Sequence, residues 1–345
     1  MRIHDLAKHL NISIGTVSRA LNGKPDVNPE TRKRVLAAAR ELGYAPNQSG
    51  RSLRKGTTGT VAFVAETSPQ TPGESAAFFM TLYQGIQSVT DAAGLDLIVL
   101  MCPANQDPEA FMRRAVARGV ADGFMLSATR RRDRRISFLR EEGIPFVTLG
   151  RSLTVRDGAW VDIDFHAIAA EAVTRLAALG RRRIALSVSP GEANFVSVSI
   201  QGYRTALRRL GLPFDRSLIL TVSPDTAGGF VTGRSLAAMD EPPDGLILGN
   251  DLMAEGLFRA LQEAGLQPGR EIAVVGQRRI SQNAYLNPTL ASFDMSVGDM
   301  GQGLAIRLLR QIPAYAAAVA DLAASPSLCP IRFVEGASIG LSCQL

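Results

Sequence analysis

The apolar positions of the first 45 residues recur with a helical period and predict three short helices. Their expected extents are about 3–9, 13–21 and 29–42. Ser13 and Asn28 carry the side-chain oxygens that cap helix N-termini, and they stand at the starts of the second and third helices. Asn11 can adopt the left-handed conformation that a tight connection needs. The pattern therefore predicts an all-α unit that contains a helix-turn-helix.

From Thr58 onwards the pattern changes to short apolar runs that alternate with amphipathic helices. The predicted strands are 60–64, 96–101, 123–126, 145–149, 183–188, 218–222, 245–248, 271–276, 290–293 and 329–334. The predicted helices are 79–93, 108–118, 132–142, 166–179, 197–210, 226–239, 251–264 and 296–311. This alternation predicts an α/β region of two doubly wound parallel-sheet lobes, with the second series beginning near Trp160. A ligand would bind beyond the carboxyl ends of the strands, in the cleft between the lobes.

These patterns divide the chain into an N-terminal unit, a connecting segment and an α/β unit. Their predicted bounds are 1–46, 47–57 and 58–345. Within the α/β unit we predict a first lobe at about 59–157 and 289–321. The second lobe is predicted at about 158–288 and 322–345.

The charge of the chain is unevenly distributed along it. Residues 1–58 hold 11 Lys and Arg against 4 Asp and Glu, whereas the rest of the chain holds 27 against 28. A strongly basic unit joined to a nearly neutral one is the electrostatic footprint of a protein that binds nucleic-acid phosphates. The N-terminal unit is therefore expected to bind DNA.

The chemistry of the chain disfavours several other classes of protein. Cys102, Cys329 and Cys343 lie far apart and lack metal-ligand spacing, which predicts a reduced, cytoplasmic protein without metal or cofactor. Polar residues interrupt the N-terminal apolar positions, so no signal peptide is expected, and no apolar run approaches the ~20 residues of a membrane helix. The sequence contains neither a Gly-rich phosphate loop nor a Gly-x-Ser-x-Gly elbow, so an enzyme is not expected.

A long composite motif runs through the N-terminal unit. It reads Asp5-Leu6-Ala7, Ser13-(x)2-Thr16-Val17-Ser18-Arg19-(x)2-Asn22, Thr31-Arg32, and Leu42-Gly43-Tyr44-(x)-Pro46-Asn47 with Leu53. This motif closely resembles that of the lactose-repressor (LacI/GalR) family of bacterial regulators. Similar family signatures follow at 179–185, 202–207 and 250–256, so the resemblance covers essentially the whole chain. It implies a homodimer or tetramer that binds a near-palindromic operator, and an effector in the cleft, with repression as the usual output.

By this resemblance the second helix enters the major groove. Ile14, Gly15 and Arg19 match the base-reading positions, where Arg19 can bond a guanine bidentately and Ile14 can contact a thymine methyl group. Gly15 weakens the helix by about 1 kcal/mol, so a close approach of its backbone to DNA would explain its presence. The other matched DNA-binding positions, where phosphate contacts fix the register, are His4, Ser13, Thr16, Ser18 and Asn22.

Residues 47–57 match the family's hinge helix, which is too short to be stable alone. Its matched DNA-binding positions are Asn47, Leu53 and Arg54, and Leu53 corresponds to a leucine that wedges into the minor groove. Gly50 stands where the family usually has alanine, so we expect ordering of this segment to be costly. The alternative for Leu53 is a linker leucine that packs against the α/β unit.

The resemblance also implies a set of effector-binding positions. They are Phe79, Ser127, Arg151, Asp164, Asn194, Ser199, Asn250, Asp251, Gln277 and Arg278. Ser199 replaces an arginine that is usual in sugar-binding members, and Arg278 replaces an aspartate. A more basic cleft makes an anionic effector, such as a sugar acid or sugar phosphate, an equal alternative to a neutral oligosaccharide.

Several alternatives stay open at this level. Arg278 has the alternative of an ion pair with Asp251 or Glu255. The arginine-rich stretch 130–135 is interpreted as a solvated helix face and loop, with a second nucleic-acid contact as the alternative. A transport-class solute-binding protein shares the two-lobed architecture, but the attached basic unit favours a regulator. Whether the effector acts as inducer or corepressor is not encoded in any motif of the chain.

Overall fold

The computed structural model describes residues 3–21, 23–44, 57–67, 76–155 and 159–340. The chain divides into two compact units, residues 1–59 and 60–345. Four predicted DNA-binding positions, together with Gly50 and Cys343, lie outside the described residues. These four are Asn22, Asn47, Leu53 and Arg54.

Three helices form the N-terminal unit: α1 (Ile3–Leu10), α2 (Ile14–Leu21) and α3 (Pro29–Glu41). The cap predicted for α2 is confirmed, because the Thr16 N–H donates to Ser13 Oγ over 3.0 Å. The cap predicted for α3 is confirmed as well, since the Glu30 N–H donates to Asn28 Oδ1 over 2.8 Å. These caps fix where both helices begin.

The connection between α1 and α2 is tight because Asn11 takes a left-handed conformation, with φ of 52°. The apolar faces of the three helices meet in one small core, in which Leu6, Val17 and Val35 are completely buried. The predicted helix-turn-helix arrangement is confirmed.

The α/β unit contains twelve named strands and nine α-helices within its described residues. The strands are β1 (Thr60–Glu66), β2 (Asp96–Cys102), β3 (Phe124–Leu126), β4 (Phe146–Leu149), β5 (Trp160–Ile163), β6 (Ile184–Val188), β7 (Ile219–Thr221), β8 (Gly245–Ile247), β9 (Ala273–Val275), β10 (Ser292–Asp294), β11 (Leu328–Cys329) and β12 (Arg332–Val334). The helices are α4 (Ala76–Ala92), α5 (Pro108–Ala117), α6 (Arg134–Glu141), α7 (Phe165–Ala178), α8 (Asn194–Arg209), α9 (Thr226–Ala237), α10 (Met253–Glu263), α11 (Val297–Leu309) and α12 (Pro313–Ala316).

Two parallel sheets confirm the predicted pair of doubly wound lobes. The first has the order β11-β5-β4-β3-β1-β2 and the second the order β7-β6-β8-β9. Strands β10 and β12 form a separate antiparallel pair. Helices α4 and α11 pack together in the first lobe, and α7 with α8 and α9 with α10 pack together in the second.

The structure corrects the predicted lobe boundaries. Strand β5 pairs with β4 of the first sheet, so the predicted change of lobe at residue 158 is wrong for this strand. Ala291 forms a parallel bridge with Val275, which places the start of the predicted segment 289–321 with the second lobe. Sequence periodicity predicts where strands lie but not which sheet they join. The predicted points at which the chain passes from one lobe to the other were wrong for this reason.

The strand predicted at 329–334 is also wrong, because this stretch forms two strands in different sheets. Strand β11 pairs with β5 in the first sheet, whereas β12 pairs with β10. Pro330 lies between them and has no N–H to donate to a strand ladder. Residues up to 329 therefore belong with the first lobe, and not with the second as the predicted bound of 322 required.

The sequence also led to expectations about the cysteines and about membrane-spanning helices. Cys102 and Cys329 are free and buried thiols. Among the helices of the described residues, none is long and apolar enough to cross a membrane.

Candidate functional site

Helix α2 presents one exposed face that carries the predicted base-reading residues. Ile14 is 44% exposed although it is a large apolar side chain, and Arg19 is exposed on the same side. Val17 and Ala20, on the opposite side, are buried in the core of the N-terminal unit. An apolar side chain left in water next to a cation has no role in packing this unit, so this face is available to a partner.

The packing of the N-terminal unit does not require a glycine at position 15. A Cβ built on Gly15 would lie 3.7 Å from Ser13 Oγ, which is an ordinary contact. Alanine would therefore fit and would favour the helix. The missing side chain preserves space on the exposed side of α2.

The remaining matched positions lie around this face. His4 and Ser13 are exposed, and Thr16 and Ser18 are partly exposed. The hydroxyls of Ser13 and Thr16 lie 2.9 Å apart, so they are already coupled before any partner binds. Arg19 Nε lies 3.8 Å from Asp26 Oδ2, and both side chains are more than half exposed. Asp26 therefore competes with a partner for the Arg19 guanidinium.

A cavity of about 190 Å³ lies between the two lobes of the α/β unit. Its lining residues follow the carboxyl ends of strands in both lobes, where a doubly wound fold binds its ligands. They are Phe78, Phe79, Ile163, Phe165, Ser189, Phe195, Gly249, Asn250, Gln277, Arg278 and Met295. Four of the predicted effector positions, Phe79, Asn250, Gln277 and Arg278, are thus brought together.

Four of the eleven residues that line this cavity are phenylalanines. Phe78 and Phe79 lie at the start of α4, with their ring centroids 5.3 Å apart, and Phe165 and Phe195 face each other across 5.1 Å. Phe78, Phe165 and Phe195 were missed by the sequence reasoning. Each is an aromatic residue at or near the first turn of a helix that follows a strand, and this position was the signal that could have identified it. Such rings offer flat apolar surfaces to a ligand that has its own apolar face.

Among the described residues that line the cavity, Arg278 is the one charged side chain. Its guanidinium carbon lies 5.0 Å from the centroid of the Phe78 ring, which belongs to the opposite lobe. Burial lowers the pKa of Arg278, and the nearby charge of Asp251 acts in the opposite direction. Within the described residues its guanidinium takes part in no ion pair, so the alternative pairing with Asp251 or Glu255 is absent.

Asp251 lies beneath the cavity rather than in its wall. Its side chain is buried and accepts a short hydrogen bond from the main-chain N–H of Arg278, and its main-chain carbonyl accepts one from Asn283 Nδ2 over 3.2 Å. Burial raises the pKa of Asp251 to about 7, although the Arg278 N–H and charge oppose the rise. This carboxyl therefore positions the loop that carries Gln277 and Arg278.

Three other predicted positions form a polar rim where the lobes meet. Arg151 Nε donates to Asp162 Oδ2 over 2.9 Å, and its Nη2 lies 3.8 Å from Asp164 Oδ1. Asp164 also caps α7 by accepting from the Ala167 N–H. Asn194 Nδ2 donates to the Arg151 carbonyl over 2.8 Å, a contact between the lobes. These groups are engaged with each other and do not line the cavity.

Ser127 and Ser199 are both buried away from the cavity wall. The Ser127 hydroxyl donates to the Val64 carbonyl over 3.0 Å, which anchors the end of β3 to β1. The Ser199 Oγ is buried without a hydrogen-bond partner in the described part of the chain. Ser199 stands where the family resemblance implies an arginine, and it is a small polar side chain whose hydroxyl is unsatisfied within the described residues.

The arginine-rich stretch 130–135 is not a uniformly solvated face. Arg135 is only 1% exposed, and its guanidinium bonds Asp133 over 2.7 Å and Glu66 over 2.6 Å. Arg130 also pairs with Glu66, over 2.7 Å, and with Glu192 of the second lobe, over 3.6 Å. The interpretation as a solvated face is therefore wrong for these two residues, which form a structural network. Arg131 and Arg132 remain exposed.

The two units offer surfaces that are suited to recognition. Within the described residues, no group of three or more histidine, cysteine and acidic side chains is placed to hold a metal ion. The N-terminal unit offers an exposed helix face that carries Arg19, and the α/β unit offers a cavity lined by residues of both lobes.

Two family descriptions match this chain. "Bacterial regulatory proteins, lacI family" matches residues 2–47, and "Periplasmic binding proteins and sugar binding domain of LacI family" matches residues 63–333. Together they cover both units.

Similar proteins carry the same two units. The HTH-type transcriptional regulator RafR of Escherichia coli is 35% identical over 293 residues, which are 85% of this chain and 86% of that protein. A solved transcriptional regulator CelR–cellobiose complex is 26% identical, covers 98% and 99% of the two chains and has a TM-score of 0.69. The lac repressor dimer bound to operator and the anti-inducer ONPF shares the fold, with 21% identity, 98% and 99% coverage and a TM-score of 0.81. The chain therefore belongs to the LacI family and is a DNA-binding transcriptional regulator with a small-molecule sensor, not an enzyme.

Proposed function

We propose that this regulator is a cytoplasmic repressor that binds a near-palindromic operator as a homodimer. Its output is controlled by a small sugar or sugar derivative in the cleft between the lobes. Ile14, Gly15 and Arg19 are the base readers, and the polar residues around them hold phosphates. Leu53 and Arg54 of the connecting segment complete the operator contact.

The observation that carries the DNA-binding proposal is the exposed face of α2. Ile14 and Arg19 stand in water there, while Gly15 leaves room for close approach. Arginine can bond guanine bidentately and an aliphatic side chain can contact a thymine methyl group, so this face has the chemistry of a major-groove reader. A homodimer would present it twice, which fits a near-palindromic site.

The cavity between the lobes supports control by a small molecule. It is lined by both lobes, so a ligand there binds one lobe arrangement more tightly than another. A ligand shifts a conformational equilibrium only by such a difference in affinity. The names of the similar proteins, which include a cellobiose complex and a ribose operon repressor, favour a carbohydrate. For this chain we propose a sugar, sugar acid or sugar phosphate.

The DNA-binding proposal can be tested by mixing the full-length protein with genomic DNA fragments and sequencing the retained fragments. We expect enrichment of near-palindromic sites. Arg19→Ala should relax the preference at one base pair in each half-site, at a cost of roughly 1–3 kcal/mol.

Arg34→Ala is the matched control, because Arg34 is an exposed arginine that belongs to α3 and not to α2. It removes the same charge and should weaken binding to all sequences alike. Retention without any enriched site, or an unchanged base preference in Arg19→Ala, would contradict the proposed role of α2.

A further inference from the structure

Arg278 is a partly buried cation that has no counter-ion among the described residues. Burial lowers its pKa, and its guanidinium forms no ion pair within the described residues. Its one described side-chain partner is the ring of Phe78, at 5.0 Å from the ring centroid. Desolvating a charge without a paired, hydrogen-bonded partner is costly, and a cation–π contact repays only part of that cost.

Asp251, the acidic side chain that acts on Arg278 among the described residues, does not form an ion pair with this cation. Asp251 receives the main-chain N–H of Arg278, not its guanidinium, and the carboxyl has a pKa of about 7 because it is buried. It is therefore half protonated at neutral pH. The cavity wall around Arg278 otherwise consists of aromatic, aliphatic and uncharged polar groups.

The hydrogen-bonding capacity of the cavity is asymmetric as well. Asn250 uses its Oδ1 to accept the Leu252 N–H over 3.0 Å, which leaves the amide N–H groups to donate. Guanidinium N–H groups are donors only. The polar side of the cavity is thus rich in donors, and it faces a wall of phenylalanine rings.

We infer that the effector is a small anion, with a carboxylate or phosphate that binds Arg278 and an apolar ring face that lies against the phenylalanine wall. Phe78 holds the guanidinium while the cleft is empty and gives it up to the anion. Arg278 then sets the specificity for an acid over its neutral parent sugar, and its contact with Phe78 limits that preference. The volume of about 190 Å³ is below the 300–1,000 Å³ that is usual for drug-sized ligands, which fits a ligand of monosaccharide size.

This inference rests on the proposed control by a cleft ligand and names its chemical class. The test uses the full-length protein and measures the rise in unfolding temperature of the α/β unit. The probes are gluconate, glucuronate, galacturonate, glucose 6-phosphate and inorganic phosphate, each beside glucose and galactose. Carboxylate probes and phosphate probes form separate arms, so the source of the anionic oxygens is distinguished.

Two variants make the test specific. Arg278→Met keeps a long apolar stem but removes the charge, and Arg279→Met is the matched control because Arg279 is the adjacent, exposed arginine. We expect at least one anion to raise the unfolding temperature of the wild type and of Arg279→Met, and not that of Arg278→Met. In the absence of anions, Arg278→Met should unfold at a higher temperature than the wild type, because it removes a partly buried cation that has no ion-pair partner among the described residues.

Phe78→Leu tests the second half of the inference. Its readout is the dissociation constant of the neutral sugar divided by that of its acid. The loss of stacking on Phe78 weakens the binding of both ligands alike, so it cancels in this ratio. Freed from the ring, Arg278 should bind the acid better, and the ratio should rise about threefold to tenfold.

The outcomes separate this inference from the proposed function. If no anion gives a rise that depends on Arg278, or if Arg278→Met is less stable than the wild type without anions, the inference is overturned. A neutral sugar that releases the operator with unchanged strength in Arg278→Met would overturn it too, while the proposed function would stand. If no molecule that stabilises the α/β unit alters operator occupancy, the proposed control by a cleft ligand fails instead.

Discussion

The guanidinium of Arg278 lies over the ring of Phe78, 5.0 Å from its centroid, and the two residues belong to opposite lobes. This contact ties the charge in the cavity to the relative arrangement of the lobes. A ligand that engages either residue must change the contact between them. We therefore expect binding in the cleft to be coupled to the relative arrangement of the lobes.

Asp251 should make anion binding depend on pH. Its pKa of about 7 means that the carboxyl is mostly charged at pH 8 and mostly protonated at pH 6. A charged Asp251 opposes the field of Arg278, so the affinity for a sugar carboxylate should rise as the pH falls from 8 to 6. The increase can reach about tenfold for each unit by which the ligand raises the pKa of Asp251.

Calorimetric titration at several pH values, with a carboxylate ligand whose own charge is constant over this range, measures the effect. Asp251→Asn should give an affinity that is flat between pH 6 and 8. A wild-type affinity that is equally flat would show that Asp251 does not titrate beside the site.

Asp162 and Arg151 predict a pH-dependent stability. Burial raises the pKa of Asp162 to about 6, although the hydrogen bond and charge of Arg151 lower it. The folded-state pKa is above the unfolded value, so the folded state binds the extra proton. The free energy of unfolding therefore decreases as the pH rises from about 4 to 6.

Arg151→Ala should sharpen this dependence, because Asp162 then loses the cation that opposes its burial. Urea unfolding of the α/β unit should show a larger loss of stability at pH 8 than at pH 5, on the order of 1–3 kcal/mol at the higher pH. Arg132→Ala, at an exposed arginine, is the control and should show no such difference. An equal loss for Arg151→Ala at both pH values would argue against a buried ionised Asp162.

Arg135 is predicted to be structural. It is 1% exposed and bonds Asp133, Glu66 and the Ser127 carbonyl. Arg135→Met leaves Asp133 without its ion-pair partner and Glu66 with Arg130 alone, and we expect a loss of about 3–5 kcal/mol in the free energy of unfolding.

The combined variant Arg135→Met, Asp133→Asn and Glu66→Gln should recover part of this loss, because it removes the uncompensated charges. Chemical denaturation of the α/β unit measures both effects. A single variant as stable as the wild type would mean that the network is solvated.

Gly15→Ala should separate stability from DNA binding. The nearest atom to the added Cβ is Ser13 Oγ at 3.7 Å, so the helix should gain about 1 kcal/mol, read from amide hydrogen exchange in α2. Operator binding should weaken about tenfold if the backbone of α2 approaches DNA closely. Gly298→Ala in α11 is the control, since its added Cβ would meet nothing within 4 Å and the residue lies outside the N-terminal unit. Unchanged operator affinity in Gly15→Ala would reject the close approach.

Asp26 is expected to restrain Arg19. The pair is exposed and 3.8 Å apart, so it is worth at most about 1 kcal/mol. Asp26→Asn should tighten operator binding up to about fivefold at low salt, as measured by fluorescence anisotropy. Glu41→Gln changes the charge equally without contacting Arg19 and should give a smaller gain. Equal gains from both variants would assign the effect to net charge alone.

The sequence by itself determined the local structure and the DNA-binding half. The periodicity, the caps at Ser13 and Asn28 and the left-handed Asn11 depend on neighbours in the chain, so they could be predicted. The basic charge of residues 1–58 and the motif through Arg19 likewise needed no tertiary information. The alternation of strands and helices was sufficient for two lobes and for a cleft at the carboxyl ends of their strands.

Only the tertiary structure decided how distant segments meet. The assignment of Trp160–Ile163 to the first sheet, and the division of 329–334 between two sheets, depend on strand pairing, which periodicity does not encode. The same holds for the cleft, where Phe78 and Arg278 come from segments 200 residues apart in the printed numbering. Whether Arg278 pairs with a carboxylate depends on which residues surround it in the folded chain. Among the described residues, its side-chain partner is the ring of Phe78.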